Sequence, residues 1–378
     1  MLAQTPPMGW NSWNTFGSNI NEQLIFEIAD AMVDKGYRDA GYEYLVIDDC
    51  WSCRERDRSG KLVADPEKFP HGMKYVADYV HSKGLKFGMY SAAGIMTCAG
   101  YPGSYGHEYQ DAHIFAEWGV DYLKYDLCHY PGSGDVRNSY LTMSMALRST
   151  GREILFAGCT CGTYDPWDWM RSIGAHMYRS HADITDEYEA FRYIAQTQLP
   201  NFKYSGPGCF NDMDMLVVGM GGEGNVSHTG GCTDEEYLMH FSLWCLWGTP
   251  LMMGADIRNV NEYCRSVMLN RELIALNQDP DARAPFYEEK QRYASKARMG
   301  LLKFLANGEI VIDYYNFDIN PLQVLLYFDD YGIPGGSNYG LELTDILTGE
   351  NIGVKFDCYN PTLPGRSFKI YKAKFVER

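Results

Sequence analysis

The sequence predicts an α/β chain, with a (β/α)₈ TIM barrel over residues 1–282 and a C-terminal antiparallel β-sandwich over residues 283–378. Three observations lead there. Apolar runs alternate with amphipathic stretches up to about residue 275, and repeated strand–helix units imply a parallel sheet. The pattern changes at Asn277-Gln278-Asp279-Pro280, after which short alternating runs take over. The length of 378 residues suits a barrel of about 250 residues with a small partner.

Seven extended runs can be counted in the first part: Met8–Asn11, Tyr44–Asp48, Lys86–Ser91, Tyr122–Asp126, Ile154–Ala157, His176–Arg179 and Pro250–Gly254. An eighth is expected near Tyr204–Phe210, which would close the sheet. Helical periodicity lies between them. Leu24, Ile28 and Met32 share one face with Ile25 and Ala29. Further helical patterns cover Met73–His81, Ala112–Trp118, Tyr140–Leu147, Tyr188–Gln196 and Tyr237–Trp247. In the second part strands are expected at Gly300–Leu305, Glu309–Tyr315, Gln323–Phe328 and Phe368–Lys372. Turn signals at Asn307-Gly308 and Pro334-Gly335-Gly336 punctuate them.

Composition narrows the function. The apolar fraction of 46% supports buried cores. A net charge of −16 repels nucleic acid and anionic lipid, so a neutral small-molecule substrate is expected, with no nucleic-acid or membrane partner. Aromatics reach 14%, which suits a sugar but is equally consistent with Tyr-rich cores. No charged and apolar leader precedes Met8, and no apolar run reaches the roughly 18 residues that a membrane helix needs. The 11 cysteines follow no regular spacing. A cytoplasmic protein with mostly free thiols is the expectation, with homo-oligomerisation left open.

Two motifs are decoys. Gly219-Met-Gly221-Gly-Glu-Gly224 matches a dinucleotide fingerprint, but Asn225–Gly231 is turn-like where a helix should start. Cys50-Trp-Ser-Cys53 resembles a redox pair but runs into a charged loop rather than a helix. Cys159-Thr-Cys161 could join it on zinc, yet neither spacing suits a structural zinc site. No metal and no cofactor are expected. Asp48-Asp49 and Asp212-Met213-Asp214 fit either a hard cation or substrate hydroxyls, and spacing does not decide between them.

In a (β/α)₈ barrel the active site lies at the C-terminal ends of the strands. The polar residues there are Trp10–Trp13, Asp48, Asp49, Tyr90, Lys124, Asp126, Thr160, Arg179, Asp183 and Asp214. Carboxylates dominate, as in glycoside hydrolysis, where one attacks the anomeric carbon and another protonates the leaving oxygen. Asp126 is the expected nucleophile. Lys124, two residues back on the same strand face, is expected to hold it ionised. Asp183 is the expected acid/base, its proton held by proximity to anionic Asp126.

These residues carry a resemblance to glycoside hydrolase family 27, the α-galactosidases and α-N-acetylgalactosaminidases. It rests on Pro7-Met-Gly-Trp-Asn-Ser-Trp13, Ile47-Asp-Asp-Cys-Trp51, His81-Ser-Lys-Gly-Leu-Lys-Phe-Gly-Met-Tyr90, Tyr122-Leu-Lys-Tyr-Asp126, Ala182-Asp-Ile184, Asn211-Asp-Met-Asp-Met215 and Asn277-Gln-Asp-Pro280. It covers essentially the whole chain and implies a retaining exo-hydrolase of terminal α-galactosides without a cofactor. By this resemblance Asp126 matches the nucleophile and Asp183 the acid/base. Asp48 and Asp49 match the pair that holds the sugar 4- and 6-hydroxyls, Lys124 and Asp214 match further sugar contacts, and Arg179 matches the arginine at the 2-substituent. Trp13 and Tyr90 match the pocket walls, and Cys98 and Cys128 match a disulfide. The chain departs at Cys159-Thr160-Cys161, where the family usually shows Cys-Glu-Trp. Thr160 stands for the Glu that binds the 2-hydroxyl, followed by Thr163 and a matching Tyr164. Cys50 and Cys159 match cysteines whose usual partners are missing. An α-N-acetylgalactosaminidase, a β-L-arabinopyranosidase, a transglycosylase and an inactive sugar-binding barrel are the rival readings.

Overall fold

The computed structural model describes residues 2–132, 134–286 and 296–377. Eight parallel strands form one sheet: β1 (Met8–Asn11), β2 (Tyr44–Val46), β3 (Lys86–Ala92), β4 (Tyr122–Asp126), β5 (Leu155–Cys159), β6 (Met177–Arg179), β7 (Phe210–Asp212) and β8 (Leu251–Met253). Their spatial order is β7-β6-β5-β4-β3-β2-β1-β8. A parallel bridge between Leu216, just past β7, and Met253 of β8 brings the two ends together. The seam is tied by Leu216 N to Met252 O at 2.7 Å and Gly254 N to Leu216 O at 2.9 Å.

The helices are α1 (Trp13–Phe16), α2 (Glu22–Asp34), α3 (Gly72–Ser82), α4 (Glu108–Trp118), α5 (Val136–Ser149), α6 (Pro166–Trp169), α7 (Tyr188–Gln198), α8 (Asp234–Trp247), α9 (Glu262–Met268) and α10 (Arg271–Asn277). In α2 the buried stripe Leu24, Ile25, Ile28, Ala29 and Met32 faces the sheet as its spacing demands. Asn21 caps the helix by accepting the Leu24 amide. In contrast, α8 is buried all round, from Met239 to Trp247. It lies against α7, α9, α10 and the second domain at once. Its ends are fixed locally, by a capping box between Thr233 and Glu236 and by Gly248 at φ +71°.

The eighth strand differs from expectation. Leu199–Tyr204 is a 3₁₀ helix, and the strand is β7 at Phe210–Asp212. Its outer half, Asn211-Asp212, is polar because it runs into the site, so hydropathy hides it.

Beyond the barrel, β9 (Arg298–Phe304), β10 (Ile310–Asn316), β12 (Tyr339–Asp345), β13 (Asn351–Lys355) and β15 (Ser367–Glu377) form an antiparallel sheet in the order β13-β12-β15-β10-β9. A second sheet pairs β11 (Leu322–Gln323) with β14 (Thr362–Leu363). The expected run Gln323–Phe328 is therefore mostly irregular, although Val324, Leu326 and Phe328 are buried in the domain's own core. The larger sheet is apolar on both faces. Met299, Leu301, Val311 and Tyr315 join the barrel's core, whereas Leu302, Ile310, Ile312 and Tyr314 fill the domain's own. Lys303 pins the two together, its Nζ donating to the Leu246 carbonyl at 3.0 Å and the Leu276 carbonyl at 2.9 Å. Those carbonyls belong to the last turns of α8 and α10, where a cation is favoured. Among the described residues, no helix is long and apolar enough to cross a membrane.

Candidate active site

Strand ends deliver the side chains. A cavity of about 430 Å³, open to solvent, is lined by Trp13, Asp48, Asp49, Tyr90, Cys98, Lys124, Asp126, Arg179, Asp183 and Asp214, with Asn14, Met215 and Val226. Nine of the eleven expected site residues thus share one cavity: Trp13, Asp48, Asp49, Tyr90, Lys124, Asp126, Arg179, Asp183 and Asp214. Thr160 and Tyr164 do not line it. Thr160 Oγ1 donates to the Thr163 carbonyl at 2.7 Å, and Thr163 Oγ1 donates back to the Thr160 carbonyl at 2.6 Å. Tyr164 is 58% exposed.

The β1–β4 side is densely hydrogen-bonded. Asp48 Oδ2 accepts from Asn11 Nδ2 and from Lys124 Nζ, each at 2.8 Å. Asp49 accepts the Cys50 amide at 2.7 Å and the Ala99 amide at 2.9 Å. Burial nonetheless pushes the Asp49 carboxyl above its usual value. Asp126 accepts the Leu127 amide at 2.8 Å and the Tyr90 hydroxyl at 3.2 Å. The hydrogen bonds to the nucleophile candidate therefore come from Tyr90 and its own backbone, while Lys124 bonds Asp48 instead. Burial works against the Lys124 charge, but the Asp48 and Asp126 carboxylates outweigh it and hold the ammonium well above its usual value.

Two loops meet behind Asp126. Cys98, after β3, and Cys128, after β4, form a disulfide with their Cα atoms 5.0 Å apart. Gly94 permits the approach, because a Cβ there would lie 1.8 Å from the Cys128 carbonyl oxygen.

On the β5–β6 side one cation serves two carboxylates, of which Asp214 also accepts the Met215 amide at 2.7 Å and the Ile184 amide at 2.8 Å. Arg179 Nη2 donates to Asp183 Oδ1 at 2.8 Å and lies 2.9 Å from Asp214 Oδ2. The Arg179 guanidinium holds the Asp183 carboxyl below its usual value, so Asp183 is ionised in the unliganded protein. This reverses the expectation that Asp126 keeps Asp183 protonated, because Arg179 is the nearer and stronger influence. Asp183 is 71% exposed. Asp214 behaves oppositely: burial raises it to about 6 against the pull of Arg179.

Sequence reasoning covered Asn11 within Trp10–Trp13 but missed Asn14, Met215 and Val226 as cavity lining. Cys161 Sγ lies 3.9 Å from Asp183 Oδ1 and 3.7 Å from Cys159 Sγ. The Cys159 hydrogen bond and Arg179 make Cys161 the more acidic of the two thiols. Cys159 also lines a second cavity, of about 360 Å³, with Lys124, Arg179, Asp212 and Asp214. Asn11 carried a signal, since it ends β1 next to Trp13. Cys159-Thr-Cys161 was legible as a thiol pair, but the reversal after β5 that brings Cys161 back beside Cys159 was not. The Gly219–Gly224 segment is a turn: Gly222 N donates to Asp186 and Gly221 N donates to the Tyr237 hydroxyl, both at 2.8 Å.

The sequence pattern of the family described as Melibiase_2, alpha galactosidase A, matches residues 5–279. The chain belongs to this family. It is 47% identical over 289 residues to alpha-galactosidase A of Cellvibrio japonicus, covering 74% of this chain and 68% of that one. It is 49% identical over 279 residues to alpha-galactosidase 3 of Arabidopsis thaliana, covering 74% and 61%. The chain therefore spans about two thirds of the length of these curated relatives. The crystal structure of alpha-galactosidase I from Mortierella vinacea superposes with a TM-score of 0.90 at 32% identity, covering 100% of this chain and 98% of that one. The (β/α)₈ barrel with its C-terminal β domain is shared with that crystal structure, and the chain is a glycoside hydrolase of the α-galactosidase type.

Proposed function

We propose that this protein removes terminal α-linked galactose from oligosaccharides or glycoconjugates with retention of configuration, Asp126 acting as nucleophile and Asp183 as acid/base. The observation that carries the reading is one cavity holding both carboxylates together with Asp48, Asp49 and Lys124. Asp48 and Asp49 accept sugar hydroxyls, their orientation fixed by Asn11, Lys124 and the amides of Cys50 and Ala99. Asp126, oriented by Tyr90, attacks the anomeric carbon as the bond to the leaving oxygen breaks. Asp183 gives that oxygen a proton, then takes one from the water that cleaves the glycosyl–Asp126 ester. Protonation of Asp183 accompanies substrate binding. The aglycone covers its exposed carboxyl, and desolvation opposes the hold of Arg179.

The retained pair Asp48-Asp49 favours galactose over β-L-arabinopyranose, which lacks the 6-hydroxymethyl group. The turned-away side chain of Thr160 favours tolerance of a 2-acetamido group as a second reading. A panel of 4-nitrophenyl α-galactoside, α-N-acetylgalactosaminide and β-L-arabinopyranoside tests this, with kcat/KM expected highest for the α-galactoside. Higher kcat/KM for either competitor would overturn the choice of galactose, and no turnover of any would leave a sugar-binding barrel.

A further inference from the structure

Among the described residues, Cys159, Cys161 and Asp126 each offer a ligand atom within 4.8 Å of the other two. We propose that these three side chains form a binding site for a thiophilic divalent cation of the zinc type, and that its occupation switches the enzyme off by taking the nucleophile.

The geometry suits such an ion. Cys159 Sγ and Cys161 Sγ are 3.7 Å apart, and both cysteines are free. Two thiolates bound at about 2.3 Å to one tetrahedral zinc sit about 3.8 Å from each other. The sulfurs therefore already occupy one edge of the coordination tetrahedron. The third ligand is a carboxylate oxygen of Asp126, which Tyr90 and the Leu127 amide hold at the end of β4. Cys159 ends β5, the strand paired with β4, so two of the three ligands stand on adjacent barrel strands. Cys161 reaches the same point by a backbone reversal, with φ +50° at Cys161 itself and the reciprocal Thr160–Thr163 hydrogen bonds closing the turn. Water would complete the coordination sphere.

Ligand chemistry selects the ion. Two thiolates and one carboxylate favour zinc or cadmium over magnesium or calcium, which take oxygen ligands. Binding releases the two thiol protons to solvent. With an Asp126 oxygen committed to the metal, attack on the anomeric carbon is blocked, so metal and substrate exclude each other.

Direct binding and inhibition are read separately. Protein with the Cys98–Cys128 disulfide intact is titrated with cadmium in the absence of substrate and reductant, and the ultraviolet thiolate-to-cadmium charge-transfer band is followed. One cadmium per chain should produce the band in wild type, and Cys159→Ser/Cys161→Ser should lose it while Cys53→Ser retains it. In parallel, zinc should inhibit 4-nitrophenyl α-galactoside hydrolysis competitively and reversibly with EDTA. Cys161→Ser should raise the inhibition constant by more than the ~10–100-fold that loss of an outer-shell partner costs. An absent band in wild type, or a band unchanged in the double variant, overturns the site. Equal zinc inhibition of wild type and Cys161→Ser overturns the switch. Because the inhibition rests on the proposed hydrolase, a cadmium band without any hydrolysis would refute that activity and leave the metal site standing.

Discussion

The two sides of the sugar cavity are built differently. On the β1–β4 side each carboxylate is fixed by at least two donors, several of them backbone amides of its own or an adjacent loop. On the β5–β6 side Asp183 is exposed and Arg179 is divided between it and Asp214. Left-handed backbone at Cys161, Tyr164 and Asp165 marks the same segment. Backbone donors fix a carboxylate whatever its side-chain neighbours, whereas a side-chain network changes with each substitution. The first side therefore suits a constant demand, the hydroxyls and the anomeric centre. The second suits demands that vary, the 2-substituent and the leaving group.

The strongest test of the contrast is on the fixed side. Asp126→Ala should lower kcat by at least about 10³-fold, as loss of a covalent nucleophile does. Added azide should partly restore cleavage of an activated aryl substrate and yield a glycosyl azide of inverted configuration. Because Asp126 ends a strand at the solvent-facing end of the barrel, the thermal unfolding midpoint should change little. Wild-type activity in this variant would remove the whole assignment.

Asp183→Asn should cost about 10²–10⁴-fold for substrates with poor leaving groups, the usual span of general-acid help. It should cost far less for 4-nitrophenyl glycosides, whose leaving group needs no proton. Equal losses for both would mean that Asp183 is not the proton donor. The same carboxyl sets a pH signature. Arg179 lowers its ionisation in the free protein and substrate covers it. The alkaline limb of kcat should therefore lie at higher pH than that of kcat/KM, and coincident limbs would refute coupling of protonation to binding.

Thr160→Glu cannot donate to the Thr163 carbonyl, so its carboxylate is released towards Arg179. The ratio of kcat/KM for the α-N-acetylgalactosaminide over the α-galactoside should fall, because a charge-assisted hydrogen bond to the 2-hydroxyl contributes about 1.5–3 kcal/mol. An unchanged ratio would mean that this side is as firmly set as the other.

The smallest effect is on stability. The folded Asp214 carboxyl sits at about 6, above its usual 3.8. A raised acid contributes stability that is complete below the lower value and is lost as pH rises through the upper one. Asp214→Asn should flatten the pH dependence of thermal unfolding between those values. An unaltered curve would place the pH dependence elsewhere.

Much of this was legible in the sequence, for local reasons. Strand–helix alternation and the break after Asn277 follow from hydrophobic period, and carboxylates at strand ends stand out because a barrel exposes those ends. The strand Phe210–Asp212 was misplaced because its outer residues serve the site and lack the apolar signal. The sheet over β12 and β13 was missed because pairing of β12 with β15, and of β13 with β12, makes strands of weakly patterned segments such as Asn351–Lys355.

The sequence by itself determined the barrel, the second domain and nine of the cavity's side chains, because period and strand position are properties of neighbouring residues. Only the tertiary structure decided which partners they meet. Lys124 bonds Asp48, Tyr90 meets Asp126, and Arg179 holds Asp183 ionised. It also decided that Thr160 turns onto Thr163 while Cys161 turns towards Asp183. Hydrogen bonds and field strengths depend on distances across strands, and a backbone reversal of three residues decides which side chain approaches Asp183.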